Sequence, residues 1–192
     1  LDAAVAAPLG EDVGGDLVRG MLADEGVRCV AARPAPRTPT TMVMPFGGDR
    51  AMVTIDPGAR AAAADVAALE PRAVAASLDQ LYVVPDLATA YVTCGDDDLR
   101  AYEGRPPAAL DGAHALFLNQ REALGLSGEE TVEDAARSLA ERVETLVVTR
   151  AGEGAMALSD GETVVVPAET IERPIDTTGA GCAADRQGQH HE

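Results

Sequence analysis

The chain has no tryptophan, two phenylalanines and three tyrosines in 192 residues. Its core must therefore be built from Ala, Val and Leu, because hydrophobic residues still make up 46% of the chain. Small aliphatic side chains let helices and strands approach closely, which suits α/β layers. Three cysteines, Cys29, Cys94 and Cys182, stand far apart with no C-x-x-C pair. That spacing excludes a disulfide framework and a zinc site of the usual kind, and it suits a reducing, cytoplasmic compartment. Positive charge is scarce: 15 Lys+Arg face 32 Asp+Glu, for a formal net charge of −17. Such a chain repels phosphate backbones and anionic membrane surfaces, so no nucleic-acid partner is expected. No stretch reaches the ~20 apolar residues of a membrane span, and the start, LDAAVAAPLG, lacks the basic region of a signal peptide. It also lacks a methionine, as if the chain opened inside a domain. No G-x-G-x-x-G joins a strand to a helix, which argues against a dinucleotide-binding oxidoreductase. There is no internal repeat.

What is present alternates between strand and helix. The pattern predicts a short strand over 1–7, a turn-rich loop GEDVGG, and a helix over 16–25. Leu17, Val18, Met21 and Leu22 give that helix its apolar spacing, and Gly26 suits its C-cap. A strand over 27–31 and a proline-rich connector over 33–39 follow. The β-rich runs 40–46 and 51–55, split by Gly47-Gly48-Asp49-Arg50, predict a hairpin. An alanine-rich helix is expected over 59–69, with strands over 81–84 and 90–93 and a polar loop over 94–107. The apolar run 113–118, ending at Asn119, fits a buried parallel strand. Thr131 with Asp134 resembles a capping box, and Val132, Ala135, Ala136, Leu139, Ala140 and Val143 fall on one helical face. A strand over 145–149 and a hairpin of 154–158 with 162–166 complete the pattern. The alternation in the second half argues for a mostly parallel sheet covered on both faces.

The sharpest chemical signal is Asp176-Thr177-Thr178-Gly179-Ala180-Gly181. Small residues let backbone N–H groups approach an anion, and a helix starting after Gly181 would add its dipole. Such a nest suits the charge that develops on a transferring phosphoryl group. Upstream, Asn119-Gln120-Arg121-Glu122 places an amide and a carboxylate three residues apart, on one side of a helical turn. There they could orient a hydrated magnesium ion, which prefers oxygen ligands and retains water. A third segment, TLVVTRAGEGA over 145–155, reads as a strand ending in a glycine turn.

Together these segments resemble the ribokinase-like, phosphofructokinase-B type sugar kinases. DTTGAG is similar to that family's D-T-x-G-A-G-D signature, N-x-x-E to its magnesium motif, and Thr149 to Gly154 to its contact with ATP phosphates and ribose, Gly152 and Gly154 included. GEDVGGDLVRGMLADEGV and the run from Thr40-Thr41 through Pro57-Gly58-Ala59 are similar to its sugar-side segments. The resemblance implies an α/β fold: a ribokinase-like three-layer sandwich with a mostly parallel central sheet and a small β lid, here incomplete. It also implies phosphoryl transfer from ATP to a sugar or sugar-like hydroxyl, with magnesium, in the cytoplasm. Gly179, Ala180 and Gly181 would form the anion hole. Asp176 and Thr178 would help hold a monovalent cation such as potassium. Some members dimerise through the lid, and the 40–55 hairpin falls in that region, which makes a homodimer an expectation.

The chain departs from the family pattern in several places. Cys182 stands where the family has the aspartate that takes the proton from the sugar. A general base is worth about 10²–10⁴ in rate, so the substitution implies weak or no turnover. Ala151 stands where the family usually has glycine, and Arg60 where it has asparagine. The tail after Gly181 lacks an apolar helical stripe, and the family's opening strand and Gly-Gly segment are missing. The expected organisation is a partial kinase domain over 1–181 with a divergent polar tail over 182–192, as in a truncated or frame-shifted kinase. The alternative function is a non-catalytic nucleotide-binding or interaction remnant.

Overall fold

A computed structural model describes residues 2–30, 34–46 and 49–169. The sequence-predicted residues Asp176, Thr178, Gly179, Ala180, Gly181 and Cys182 lie outside them. The chain divides into two compact units, Leu1–Pro71 and Arg72–Glu192.

In the first unit β1 (Ala4–Ala6) leads to α1 (Val13–Asp24) and then to β2 (Arg28–Val30), which pairs with β1 in parallel. Asp12 starts α1. Its carboxylate accepts from Gly15 N at 2.9 Å, from Thr38 N at 2.8 Å and from Thr38 Oγ1 at 2.6 Å. Thr38 Oγ1 in turn accepts from Gly10 N at 3.0 Å. These hydrogen bonds favour the ionised carboxylate and lower the Asp12 pKa to about 2. A side chain on Gly10 would collide with the backbone of Arg37 and Thr38, so this position needs glycine for close approach. The G-x-D-x-x-G spacing is thus a structural lock between helix start and connector. Leu17 and Met21, expected on the apolar face of this helix, are each 62% exposed.

The hairpin expected over 40–55 is present as β3 (Thr40–Phe46) and β4 (Asp49–Ile55). Its pairs Met42–Val53 and Val43–Met52 stand on opposite faces, and all four residues are exposed. The helix expected over 59–69 shrinks to α2 (Ala63–Ala67), where Ala62 caps without a side-chain hydrogen bond.

The second unit carries a six-stranded sheet. Its strands are β5 (Ala73–Ser77), β6 (Thr89–Thr93), β7 (Ala113–Asn119), β8 (Val143–Thr149), β9 (Ala155–Ser159) and β10 (Glu162–Val166), ordered β10-β9-β8-β7-β6-β5. The pairs from β5 to β8 are parallel, and β9 and β10 add antiparallel to one side. The mostly parallel α/β sheet is as the alternation implied. Two expectations are corrected. Residues 81–84 are not a strand; Leu78–Val83 form a 3₁₀ helix whose Leu78 and Val83 are buried, and the strand lies earlier, at β5. The segment 94–107 is not all loop: it contains α3 (Asp96–Tyr102). Asp98 ends this helix start by accepting from Gly95 N at 2.8 Å.

α4 (Gln120–Ser127) and α5 (Val132–Ala140) pack on each other and on β7 and β8. Thr131 caps α5 by accepting from Asp134 N at 3.1 Å, the start anticipated from the sequence. Ala135, Ala136 and Leu139 are fully buried, as are Ala123 and Leu126 of α4. Leu116 and Leu146 pair across the sheet, both fully buried. Each such leucine contributes about 1.5–3 kcal/mol of burial. Ala123, Ala135 and Ala136 are fully buried along with the leucines, so small aliphatic side chains fill a core that has almost no aromatic rings.

Candidate functional site

Strands β5 to β8 run in parallel, so Ser77, Thr93, Asn119 and Thr149 end on one edge of the sheet. In open α/β sheets ligands bind beyond that carboxyl edge. Two residues singled out from the sequence meet here: Asn119 and Thr149 are direct partners in the β7–β8 ladder. Thr149 Oγ1 donates to Leu118 O at 3.4 Å.

Asn119 leaves β7 and caps α4. Its side chain accepts from Glu122 N at 2.9 Å, while Glu122 Oε2 accepts from Asn119 N at 2.8 Å. The N-x-x-E motif is therefore a reciprocal capping box, with glutamate at the position that motif prefers. From the sequence Asn119 and Glu122 are expected to orient magnesium, with Asn119 also on the cofactor-binding side; the reciprocal capping is an added duty. Burial raises the Glu122 pKa, the Asp96 charge adds to the rise, and the hydrogen bond from Asn119 opposes it. Among the described residues no three His, Cys, Asp or Glu side chains converge to hold a metal directly. The donors present fit a magnesium ion held through its water shell: Glu122 and Asp96 offer carboxylate oxygens at this edge, and a cation would relieve the repulsion by which the Asp96 charge adds to the rise in the Glu122 pKa.

Cys94, just past β6, went unassigned in the sequence. Its thiol is half-buried, and burial, followed by the charges of Asp98, Glu122 and Asp96, pushes its pKa up to about 12. It is consequently a neutral thiol and no nucleophile at physiological pH. Asp98 is almost fully buried. Its carboxylate accepts from Asp79 N at 2.7 Å and so ties the 3₁₀ helix after β5 to the start of α3. Arg121 pairs with Asp96 at 2.9 Å. The Gly95-Asp96-Asp97-Asp98 run, expected as part of a polar loop, carries the signal that could have found α3: acidic residues filling the first turn.

Beyond Thr149 the chain makes a 3₁₀ turn, Ala151–Glu153, before β9. Ala151 has φ 46° and Gly154 φ 94°. Left-handed backbone costs a residue with a Cβ about 1–2 kcal/mol, so the alanine at 151 carries strain that glycine would not. At Gly154 a Cβ would also collide with Val166 O, Pro167 C and Ala168 N, where the chain leaves β10. Gly152 has open space around it. The turn's backbone thus faces outward at the carboxyl edge, close to the exit of β10. Of the sequence-predicted site residues, Asn119, Glu122, Thr149, Gly152 and Gly154 lie at this edge, and the rest fall outside the described residues.

The fold is shared with solved structures. A probable sugar kinase from Rhizobium etli CFN 42 superposes with a TM-score of 0.75 at 24% identity, covering 94% of this chain and 62% of its own. The adenosine kinase of Sinorhizobium meliloti gives 0.70 at 21% identity, covering 94% of this chain and 62% of its own. A protein from E. coli assigned as a ribokinase II, solved with ATP and Mg²⁺, gives 0.74 at 21% identity, covering 98% and 71%. At these identities the likeness establishes the fold. The chain spans 62% of the length of the first two. No curated protein matches it. A family model does: the fold, the paired Asn119 and Thr149, and a match over residues 1–183 agree, and the chain belongs to the pfkB family of carbohydrate kinases.

Proposed function

We propose that the parent protein transfers the γ-phosphoryl group of ATP to a hydroxyl of a small sugar or sugar-like molecule, and that this chain carries the nucleotide side of that site. The supporting observation is the ladder pairing of Asn119 with Thr149 at the carboxyl edge of the parallel strands. In this reading Thr149 and the backbone of Gly152 and Gly154 bind ATP. Asn119 and Glu122 orient magnesium through its water shell, and the Glu122 oxygen not engaged by Asn119 N is the one available for this. Gly179, Ala180 and Gly181 receive the transferred phosphate, and Asp176 and Thr178 assist with a monovalent cation such as potassium. When bound, magnesium ATP supplies an activated phosphoryl group with its charge partly neutralised.

Cys182 stands in the position of the proton acceptor. An ordinary thiol has a pKa of about 8.5, and its geometry differs from a carboxylate's. This favours a second reading of the chain itself, as a nucleotide-binding remnant that does not turn over. Residues 1–181 would then act as one partial kinase domain, with 182–192 adding nothing to the site. Cytoplasmic residence belongs to the same proposal; Cys29 and Cys94 are both free thiols. So does a homodimer through β3 and β4, whose Met42, Val43, Met52 and Val53 are exposed on a two-stranded ribbon, an element only marginally stable in isolation.

Calorimetric titration with magnesium ATP, followed by a panel of sugars assayed for ADP release, tests the proposal. Binding with sugar-stimulated ADP release supports the kinase. Binding without release, recovered by Cys182→Asp in a chain given a family-type C-terminal helix, supports the remnant. No binding of ATP by either protein removes both.

A further inference from the structure

Arg150 lies between the strand that ends at Thr149 and the strained turn beyond it. Its side chain is only 19% exposed. The Nη2 atom donates to Glu153 Oε2 at 2.5 Å, within the turn, and lies 3.3 Å from Glu133 Oε1, in the first turn of α5. Its backbone N donates to Gly154 O at 2.6 Å and its carbonyl accepts from Glu153 N at 2.9 Å. Arginine at the carboxyl edge of such a sheet invites assignment as a phosphate ligand. The surroundings argue otherwise. Two carboxylates already hold the one cation, leaving that cluster net negative, and an incoming phosphate would have to displace them. The Nε atom is buried without a partner, so it is closed to solvent and to a large anion.

The partners instead describe a clamp. Glu133 sits in the first turn of a helix that is seated on the core by the fully buried Ala135, Ala136 and Leu139, its own side chain half exposed. Glu153 sits on a turn whose Ala151 is held left-handed at φ 46°. A strained backbone persists only where its surroundings over-determine it. We propose that Arg150 is a positioning residue that fastens the 151–154 turn to the start of α5, holding the turn's backbone in the conformation that receives the nucleotide. This rests on the nucleotide reading of the turn. Both carboxylates meet the same terminal nitrogen, Nη2, so a lysine ammonium could keep part of the clamp and an alanine none of it.

The test uses the full chain and its Arg150→Ala, Arg150→Lys, Glu133→Gln and Arg150→Ala/Glu133→Gln variants. Magnesium ATP affinity is measured by calorimetry and amide exchange by NMR. Arg150→Ala should weaken ATP about tenfold, with Arg150→Lys and Glu133→Gln at about threefold, and the double variant no worse than Arg150→Ala because the residues act as one unit. Glu153 and Gly154 amides should exchange about tenfold faster in Arg150→Ala, while Leu146 and Val148 keep their protection. If the parent chain binds ATP and Arg150→Ala binds within twofold of it, the positioning role is overturned. If the parent chain binds no ATP, the nucleotide reading fails, and the exchange rates decide the clamp alone: unchanged Glu153 and Gly154 amides overturn it.

Discussion

Gly154 lies directly beneath the carbonyl of Val166, so close that a single methyl on Gly154 would occupy the space of that oxygen. The contact joins the turn after β8 to the exit of β10. With φ at 94°, Gly154 has two independent reasons to be glycine. Gly154→Ala should therefore destabilise the second unit by about 3 kcal/mol or more, a left-handed penalty plus a backbone clash. Urea denaturation read by circular dichroism checks this. Loss below about 1 kcal/mol would mean that the exit of β10 moves aside freely.

Ala151 poses the opposite case. It is left-handed without being glycine, and nothing requires its methyl. Ala151→Gly should raise stability by about 0.5–1 kcal/mol, the strain relieved minus the extra entropy of an unfolded glycine. The urea midpoint should rise with its slope unchanged.

Glu122 separates a cap from a metal site. Glutamine can hold a capping box as glutamate does. Glu122→Gln should therefore leave stability within about 0.5 kcal/mol yet weaken the magnesium dependence of ATP binding. Asn119→Ala removes the cap's acceptor and should cost about 1 kcal/mol besides. A Glu122→Gln protein that keeps its full magnesium dependence would leave this pair as a helix start only.

Asp12 sets an acid limit for the first unit. Its pKa falls from 3.8 in an unstructured chain to about 2, chiefly through the Thr38 hydroxyl, then the Thr38 and Gly15 amides. A lowered carboxylate stabilises the fold fully above 3.8, and that contribution is lost as pH falls through about 2. Thr38→Val should remove the largest single contribution to this dependence and leave those of the Thr38 and Gly15 amides. A titration of the Asp12 carboxyl by NMR should show a midpoint near 2 in the parent protein, moving toward 3.8 in the variant.

How far the sequence could be read depended on what the core demanded of each segment. α5 and β7 were legible because burial on one side wrote a period into Ala135, Ala136 and Leu139 and a continuous apolar run into 113–118. The two hairpins were legible from their turns. β5 was not: Ala73–Ser77 contains one β-branched residue, and its place in the sheet comes from β6 beside it. The 81–84 run reads as strand by composition, yet packing of Leu78 and Val83 winds it into a 3₁₀ helix. At the site, Asn119, Glu122 and Thr149 were legible as motif residues; the ladder joins Asn119 to Thr149, and the capping box joins Asn119 to Glu122. Their second duties were not, because a capping box and a metal motif share the same spacing. The neutral state of Cys94 depends first on burial and then on the charges of Asp98, Glu122 and Asp96; the burial and the approach of Glu122 come from the fold, which no local pattern records.

In the proposed function the carboxyl edge at Asn119 and Thr149 receives ATP. The most direct measurement is an NMR titration of the full chain with magnesium ATP, following backbone amides residue by residue. Saturable shifts should concentrate at Asn119, Thr149, Gly152 and Gly154, and shrink when magnesium is chelated. Shifts confined to the Asp12–Thr38 lock or to the opposite end of β8 around Val143, with these four amides unmoved, would contradict it.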